Sequence, residues 1–209
     1  MRFVFCGEGN SDEALVSVIE RLIIELGADR AEGQSLRPPT KPVGERLRWL
    51  AEQAGSSFDA WFIHRDADGP NAALRATEFE VPMDALHRAR VIPVIPVQET
   101  EAWLLLDEPA IRRVVGRPRG TNSLKLPPAQ RVEYTSNPKE HLWRALEAAA
   151  DRQGRRRLTD RDRSDYRYQL LYDLDVRPDA PVRALPAFAA LVDRVVERLV
   201  ALGEISPPD

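Results

Sequence analysis

The sequence predicts an α/β protein, with a mostly parallel sheet flanked by helices and a mainly helical C-terminal extension. Two patterns lead there. Short, largely apolar runs at residues 2–6, 59–64 and 90–97 have strand character. Segments with apolar residues at three- and four-residue steps lie between and after them, which is the order of a sheet covered by helices.

In chain order, residues 2–6 form a strand that Gly7-Glu8-Gly9-Asn10 ends. Asn10 or Ser11 caps the next helix, where Leu15, Val18, Ile19, Leu22, Ile23 and Leu26 share one face as far as Gly27. Residues 31–43, rich in Pro, Gly and Ser, read as a loop, and 43–54 has helical spacing that stops at Gly55. The second strand leads into Arg65-Asp66-Ala67-Asp68-Gly69-Pro70, and a helix starts near Asn71. Pro93 and Pro96 place the third strand at an edge or an irregular position. The predicted order is β-α-α-β-α-β.

Residues 1–108 form the α/β core, and residues 109–209 form the helical extension packed on it. Within the extension, 139–150 has helical spacing. Phe188, Leu191, Val192, Val195, Val196 and Leu199 then describe an amphipathic helix that closes the core or meets a partner.

The formal net charge of −3 gives no overall positive field for nucleic acid, so local patches must carry any such role. The single Cys6 cannot form an internal disulfide. No signal-like segment opens the chain, and no apolar run reaches the roughly 20 residues of a membrane helix. These features predict a cytoplasmic protein with no membrane role.

Chemistry concentrates after the strands. Glu8 and Asp12 follow the first, Asp66 and Asp68 the second, Glu99 and Glu101 the third. A parallel sheet gathers ligand groups beyond its carboxyl ends. Crowded carboxylates raise one another's pKa unless protons or cations neutralise them. Magnesium, a hard cation with oxygen ligands, answers that need and suits phosphodiester chemistry, and manganese can substitute. Each residue also has a structural reading. Glu8 and Asp12 would favour the positive end of the following helix, and Asp66 and Asp68 would cap a turn. Glu99 and Glu101 would sit at an exposed helix start, although Ala102-Trp103-Leu104-Leu105 drives the adjoining segment into a core. His64 has no zinc-spaced partner and reads as structural, and Cys6 reads as a core residue.

Glu8-Gly9 beside the first strand, with Asp66-Ala67-Asp68 after a later one, resembles the Toprim signature on a Toprim/Rossmann-like sheet. Glu8-Gly9-Asn10-Ser11-Asp12 is similar to the EG-x-SD opening of OLD-type Toprim nucleases. Glu99-Thr100-Glu101-Ala102-Trp103-Leu104-Leu105 resembles the EFEALL segment of an uncharacterised Toprim-like family, with Thr100 at its aromatic position. Leu124-Lys125-Leu126-Pro127 and Asn137-Pro138-Lys139-Glu140 fit the same family, so the resemblance spans most of residues 1–142. It implies Glu8 as the catalytic acidic residue and Asp66 and Asp68 as magnesium ligands, with Asp12, Glu99 and Glu101 as further ligands. It also implies an ATPase partner and a role in defence against phage or mobile DNA. No Walker loop occurs in this chain.

The second half is rich in arginine: Arg112, Arg113, Arg117 and Arg119, then Arg152, Arg155, Arg156, Arg157, Arg161, Arg163 and Arg167. These residues would neutralise phosphates while Tyr166, Tyr168 and Tyr172 stack on unpaired bases. Interleaved Asp160, Asp162 and Asp165 equally fit a solvated face. Lys125 would stabilise charge developing on a scissile phosphate if its loop lies near one, and is otherwise a solvated loop lysine. The leading expectation is a magnesium-dependent Toprim-like nuclease acting on DNA or RNA, with Glu8, Asp66, Asp68 and Lys125 as its catalytic residues. The alternative is a non-catalytic module of the same frame that binds nucleic acid or regulates a partner.

Overall fold

The computed structural model describes residues 1–54, 57–151 and 157–207. Four parallel strands, β1 (Arg2–Cys6), β2 (Glu32–Ser35), β3 (Ala60–His64) and β4 (Val91–Val94), form one sheet in the order β2-β1-β3-β4. Side chains alternate across a strand, so each face receives its own apolar set. Phe3, Phe5, Ala60, Phe62, Ile92 and Val94 enter the larger core. Val4, Cys6, Trp61 and Ile63 enter the smaller one. Burial on both faces explains why β1 and β3 are almost uninterrupted apolar runs.

Helices α1 (Ala14–Glu25) and α2 (Val43–Gln53) cover opposite faces. Leu15, Val18, Ile19, Leu22 and Ile23 of α1 join the larger core, whereas Val43, Leu47 and Leu50 of α2 join the smaller. Two short helices, α3 (Ala72–Ala76) and α4 (Ala85–Arg88), precede β4. Asn71 caps α3 by accepting the Ala73 N–H at 3.0 Å. The C-terminal half adds α5 (Glu108–Val114), α6 (Pro138–Ala150), α7 (Asp160–Tyr172) and α8 (Pro186–Ala201). Their apolar stripes complete the larger core: Ile111, Leu142, Leu146, Leu170, Leu171, Phe188, Leu191, Val195 and Leu199 are all buried there. Phe188 meets Trp103 edge to face, with ring centroids 5.0 Å apart.

Two expectations need correction. Residues 32–35 are not loop: β2 pairs with β1 through Arg2↔Glu32 to Phe5↔Ser35. Its polar sequence hides it, because β2 is a sheet edge whose Glu32 and Gln34 are exposed. Gly33 is needed opposite Phe3, since a Cβ there would lie 2.4 Å from the ring. The first helix is also not capped by the Asn10 or Ser11 side chain. A 3-10 turn at Asn10–Asp12 precedes α1, and Asp12 is the residue that accepts the turn's N–H groups. The expected helix stop at Gly55 lies outside the described residues. β4 is the opposite edge strand, as Pro93 requires.

The strand order positions the site. The chain leaves β1 towards β2 on one side and β3 towards β4 on the other, so the crevice between the β1 and β3 exits is the topological switch point. Among the described residues no helix is long and apolar enough to cross a membrane.

Candidate functional site

Glu8 leaves the end of β1 and reaches β3. Its Oε2 accepts the Asp66 N–H at 3.0 Å, and its Oε1 takes the Arg65 guanidinium at 2.5 Å. Asp12 folds back over the same turn, where its Oδ2 accepts the N–H groups of Glu8 and Gly9 at 3.1 Å each. Gly7 permits that closure, because a Cβ there would stand 2.9 Å from the Asp12 Cβ.

Beneath the turn lies His64, fully buried between two carboxylates. Its Nε2 is 2.8 Å from Thr100 Oγ1 and 3.3 Å from Asp66 Oδ1. Thr100 donates its hydroxyl and its backbone N–H to Asp66 Oδ1, both at 2.9 Å. The hydroxyl proton is thereby committed to Asp66, so the Thr100 oxygen accepts from a protonated Nε2. Nδ1 faces Asp12 Oδ2 at 3.4 Å without hydrogen-bond geometry, which makes it a charge contact. Burial alone would lower the His64 pKa, but the flanking carboxylates of Asp12 and Asp66 outweigh it and push it up to about 9. Burial likewise works to raise Asp12, yet His64, Arg167 and the Gly9 N–H hold it below the usual carboxylate range.

The third acidic pair follows β4. Glu101 is buried in the 3-10 segment Thr100–Leu106 and meets Arg167 of α7, with Nε 2.7 Å from Oε1. Arg167 also donates to Ser11 O at 2.6 Å and approaches Asp12 Oδ1 at 3.4 Å. Glu99 Oε2 accepts the Lys139 N–H, 3.0 Å away at the start of α6. Burial raises the Glu99 pKa, the Lys139 N–H opposes this, and the negative charges of Glu101 and Asp66 add to the rise.

Glu8, Asp12, Asp66, Glu99 and Glu101 thus line one cleft of about 510 Å³. Lys139, Arg167 and Tyr168 line it too. Asp68 stays outside the lining, its carboxylate held by Arg75 at 2.6 Å and by Arg65 at 3.4 Å. Lys125 is exposed in a loop and is not part of the cleft wall. Tyr168 is 46 % exposed and stacks on Tyr172, with centroids 6.4 Å apart. Of the arginine-rich stretch, Arg112 is buried against Glu108 and Asn122, Arg163 pairs with Glu147, and Arg167 serves the cleft. Arg152, Arg155 and Arg156 lie outside the described residues. Cys6 is buried, which pushes its thiol up to about 12 and away from nucleophilic use.

As a donor set for magnesium, these carboxylates have the right chemistry, all being hard oxygens. Side-chain exposure divides them: Glu8 and Asp66 are 31 % and 22 % exposed, whereas Asp12 and Glu101, at 7 % and 5 %, are locked onto His64 and Arg167. In this arrangement, among the described residues, no three His, Cys, Asp or Glu side chains converge to hold a metal ion. Local cations, His64, Arg65 and Arg167, balance the cluster instead.

Sequence reasoning missed Arg167 as a partner of the acidic residues, Thr100 as the anchor of Asp66, and Lys139 as part of the wall. Thr100 carried a local signal, standing between Glu99 and Glu101, and Lys139 lay in the Asn137-Pro138-Lys139-Glu140 segment singled out from the sequence. Fold and cleft together define a parallel α/β protein with an acidic site at the β1–β3 switch point. No protein-family model, curated protein or solved structure matches the chain.

Proposed function

We propose that the acidic cleft hydrolyses phosphodiester bonds of DNA or RNA with magnesium, or manganese in its place, as in the Toprim-like nucleases that its motifs resemble. The observation that carries this reading is the bond from the Asp66 N–H to Glu8 Oε2. It ties the Glu8 carboxylate to the backbone of Asp66 at the switch point, beside three more carboxylates on one cleft.

Glu8, Asp66 and Glu99 reach the open cleft and would have to draw together, with Glu8 releasing Arg65, to hold the ion. When bound, magnesium supplies charge compensation for the phosphate and lowers the pKa of a water. Asp12 and Glu101 act through position: His64 and Arg167 fix them, and with them the turn that carries Glu8. Lys139 offers a cation to the substrate phosphate, and Tyr168 offers a ring face to an unpaired base. An ATPase partner and a role against phage or mobile DNA belong to the proposal through the resemblance alone.

The test is cleavage of labelled supercoiled DNA, single-stranded DNA and structured RNA with magnesium or manganese. Wild type should cut at least one substrate, while Glu8→Gln and Asp66→Asn, still folded, should not. Turnover that survives both substitutions rejects the site.

One observation favours a second reading. Arg65, His64 and Arg167 already meet the cluster's charges, as suits a non-catalytic module that binds nucleic acid or regulates a partner. That reading expects no metal-dependent cleavage by any form, with binding unchanged in Glu8→Gln.

A further inference from the structure

A second cavity, of about 450 Å³, opens between the exits of β1 and β2 and shares Glu8, Gly9 and Asn10 with the acidic cleft. Its volume falls within the roughly 300–1,000 Å³ of small-ligand sites. Apart from the shared Glu8 it plays no part in the cleavage scheme, and its other charged lining is cationic: Arg37, Lys41 and Arg46, beside apolar surface from Phe5, Pro38 and Pro39.

Arg46 is the informative residue. It stands on α2, is only 2 % exposed, and forms part of the cavity wall. Its Nη1 donates to the strand-end carbonyls of Gly7 and His64 at 3.3 and 3.1 Å. Its buried Nε–H has no partner among the described residues. A buried charged donor left unpaired is costly. Carbonyl dipoles on one nitrogen do not cancel a guanidinium charge; Glu8, already engaged by Arg65, supplies part of the balance, and an anion in the adjoining cavity would supply the rest. Arg37 and Lys41 lie on the exposed rim, with Arg37 steadied by Glu13.

A ligand that suits three cations beside a proline-and-phenylalanine wall has an anionic end and a flat apolar end. We infer that this cavity binds a phosphorylated nucleotide unit, its phosphate held by Arg46, Arg37 and Lys41 and its base laid against Pro38, Pro39 and the edge of Phe5. The anion site stands on the Arg46 geometry. The choice of a nucleotide among phosphate esters rests on the phosphodiester reading of the adjoining cleft. The unit is either a free mononucleotide or the 5′-phosphorylated end of a strand, and the two share this chemistry.

Calorimetric titration in metal-free buffer tests the inference, because no cleavage can occur there and a failed nuclease assay leaves the result standing. The probes are 5′-AMP, adenosine, inorganic phosphate, and a DNA tetramer with and without a 5′-phosphate. 5′-AMP should bind about ten-fold or more tightly than adenosine or phosphate, and Arg46→Gln should weaken it by a similar factor. Because Arg46 also ties two strands, the paired rim variant Arg37→Ala with Lys41→Ala is the second arm and should weaken 5′-AMP about ten-fold without lowering the melting temperature. A 5′-phosphate dependence of the tetramer assigns the cavity to strand ends, and 5′-AMP binding without it assigns the cavity to free nucleotide. Equal affinity for 5′-AMP and adenosine, phosphate binding as tight as 5′-AMP, or indifference to the rim variant overturns the inference.

Discussion

Glu8 Oε2 accepts the backbone N–H of Asp66 at 3.0 Å, so the carboxylate that ends β1 is bonded to the first residue of the acidic turn after β3. Glu8→Gln keeps an oxygen for that bond and gives up the charge and the partly exposed pair with Arg65, a contact worth about 1 kcal/mol or less. Its melting temperature should therefore stay within a few degrees of wild type, while metal-dependent cleavage falls by about 10² or more, the range for losing an acid or base group. Parallel melting curves and cleavage rates decide this. Cleavage at the wild-type rate removes Glu8 from the chemistry, and a large loss of stability assigns it a structural role instead.

His64 gives the stability a pH dependence whose sign follows from its raised pKa. The folded state holds the imidazolium proton up to about 9, whereas the unfolded chain releases it near 6.5. The stabilisation is thus fully present below pH 6.5 and is lost as the pH rises to about 9. In metal-free buffer, urea unfolding should show a fall on the order of 2 kcal/mol across that window. His64→Gln should flatten the profile there. A wild-type curve flat from pH 6.5 to 9 would mean that His64 is neutral in the folded protein.

How much of this was legible in sequence depends on how local each signal is. β1 and β3 announce themselves because both faces are buried and their residues are almost all apolar. The acidic residues after them stand out by contrast. β2 was invisible because Glu32-Gly33-Gln34-Ser35 has no apolar residue, and its place comes from Phe3 packing over Gly33. Arg46 and Arg167 look like any helical arginine in the sequence. What distinguishes them is burial against groups far along the chain, Gly7 and His64 for one, Asp12 and Glu101 for the other. His64 was legible as structural, and the structure adds what it supports, the two carboxylates on either side. Lys125 illustrates the converse: a lysine in a motif-like segment carried no information about distance to the cleft.

Arg167 is the cation on which the buried half of the site rests. Arg167→Met preserves much of the volume and leaves Glu101 and Asp12, both nearly inaccessible, without their guanidinium. Breaking a buried pair in this way costs about 3–5 kcal/mol. Adding Glu101→Gln should recover part of the loss, since the uncompensated charge, rather than the missing contact, is the larger cost. Chemical denaturation of wild type, both single variants and the double variant closes the cycle. Strictly additive losses would show that the two residues do not act as a pair.

The edge-to-face contact of Phe188 with Trp103 sets an expectation for the whole chain. Phe188 belongs to α8 and Trp103 to the segment after β4, and both are buried in the core that also holds Phe3, Phe5 and Phe62 of the sheet. The C-terminal helices therefore have no separate core to fold around. Phe188→Ala should cost about 3–5 kcal/mol, the range for deleting a buried aromatic ring. That loss should lower the unfolding of sheet and helices together, with circular dichroism and tryptophan fluorescence giving coincident midpoints. If the variant instead melts its helices early while the fluorescence transition stays at the wild-type midpoint, residues 109–209 are a separable unit and the shared core is not what holds the fold.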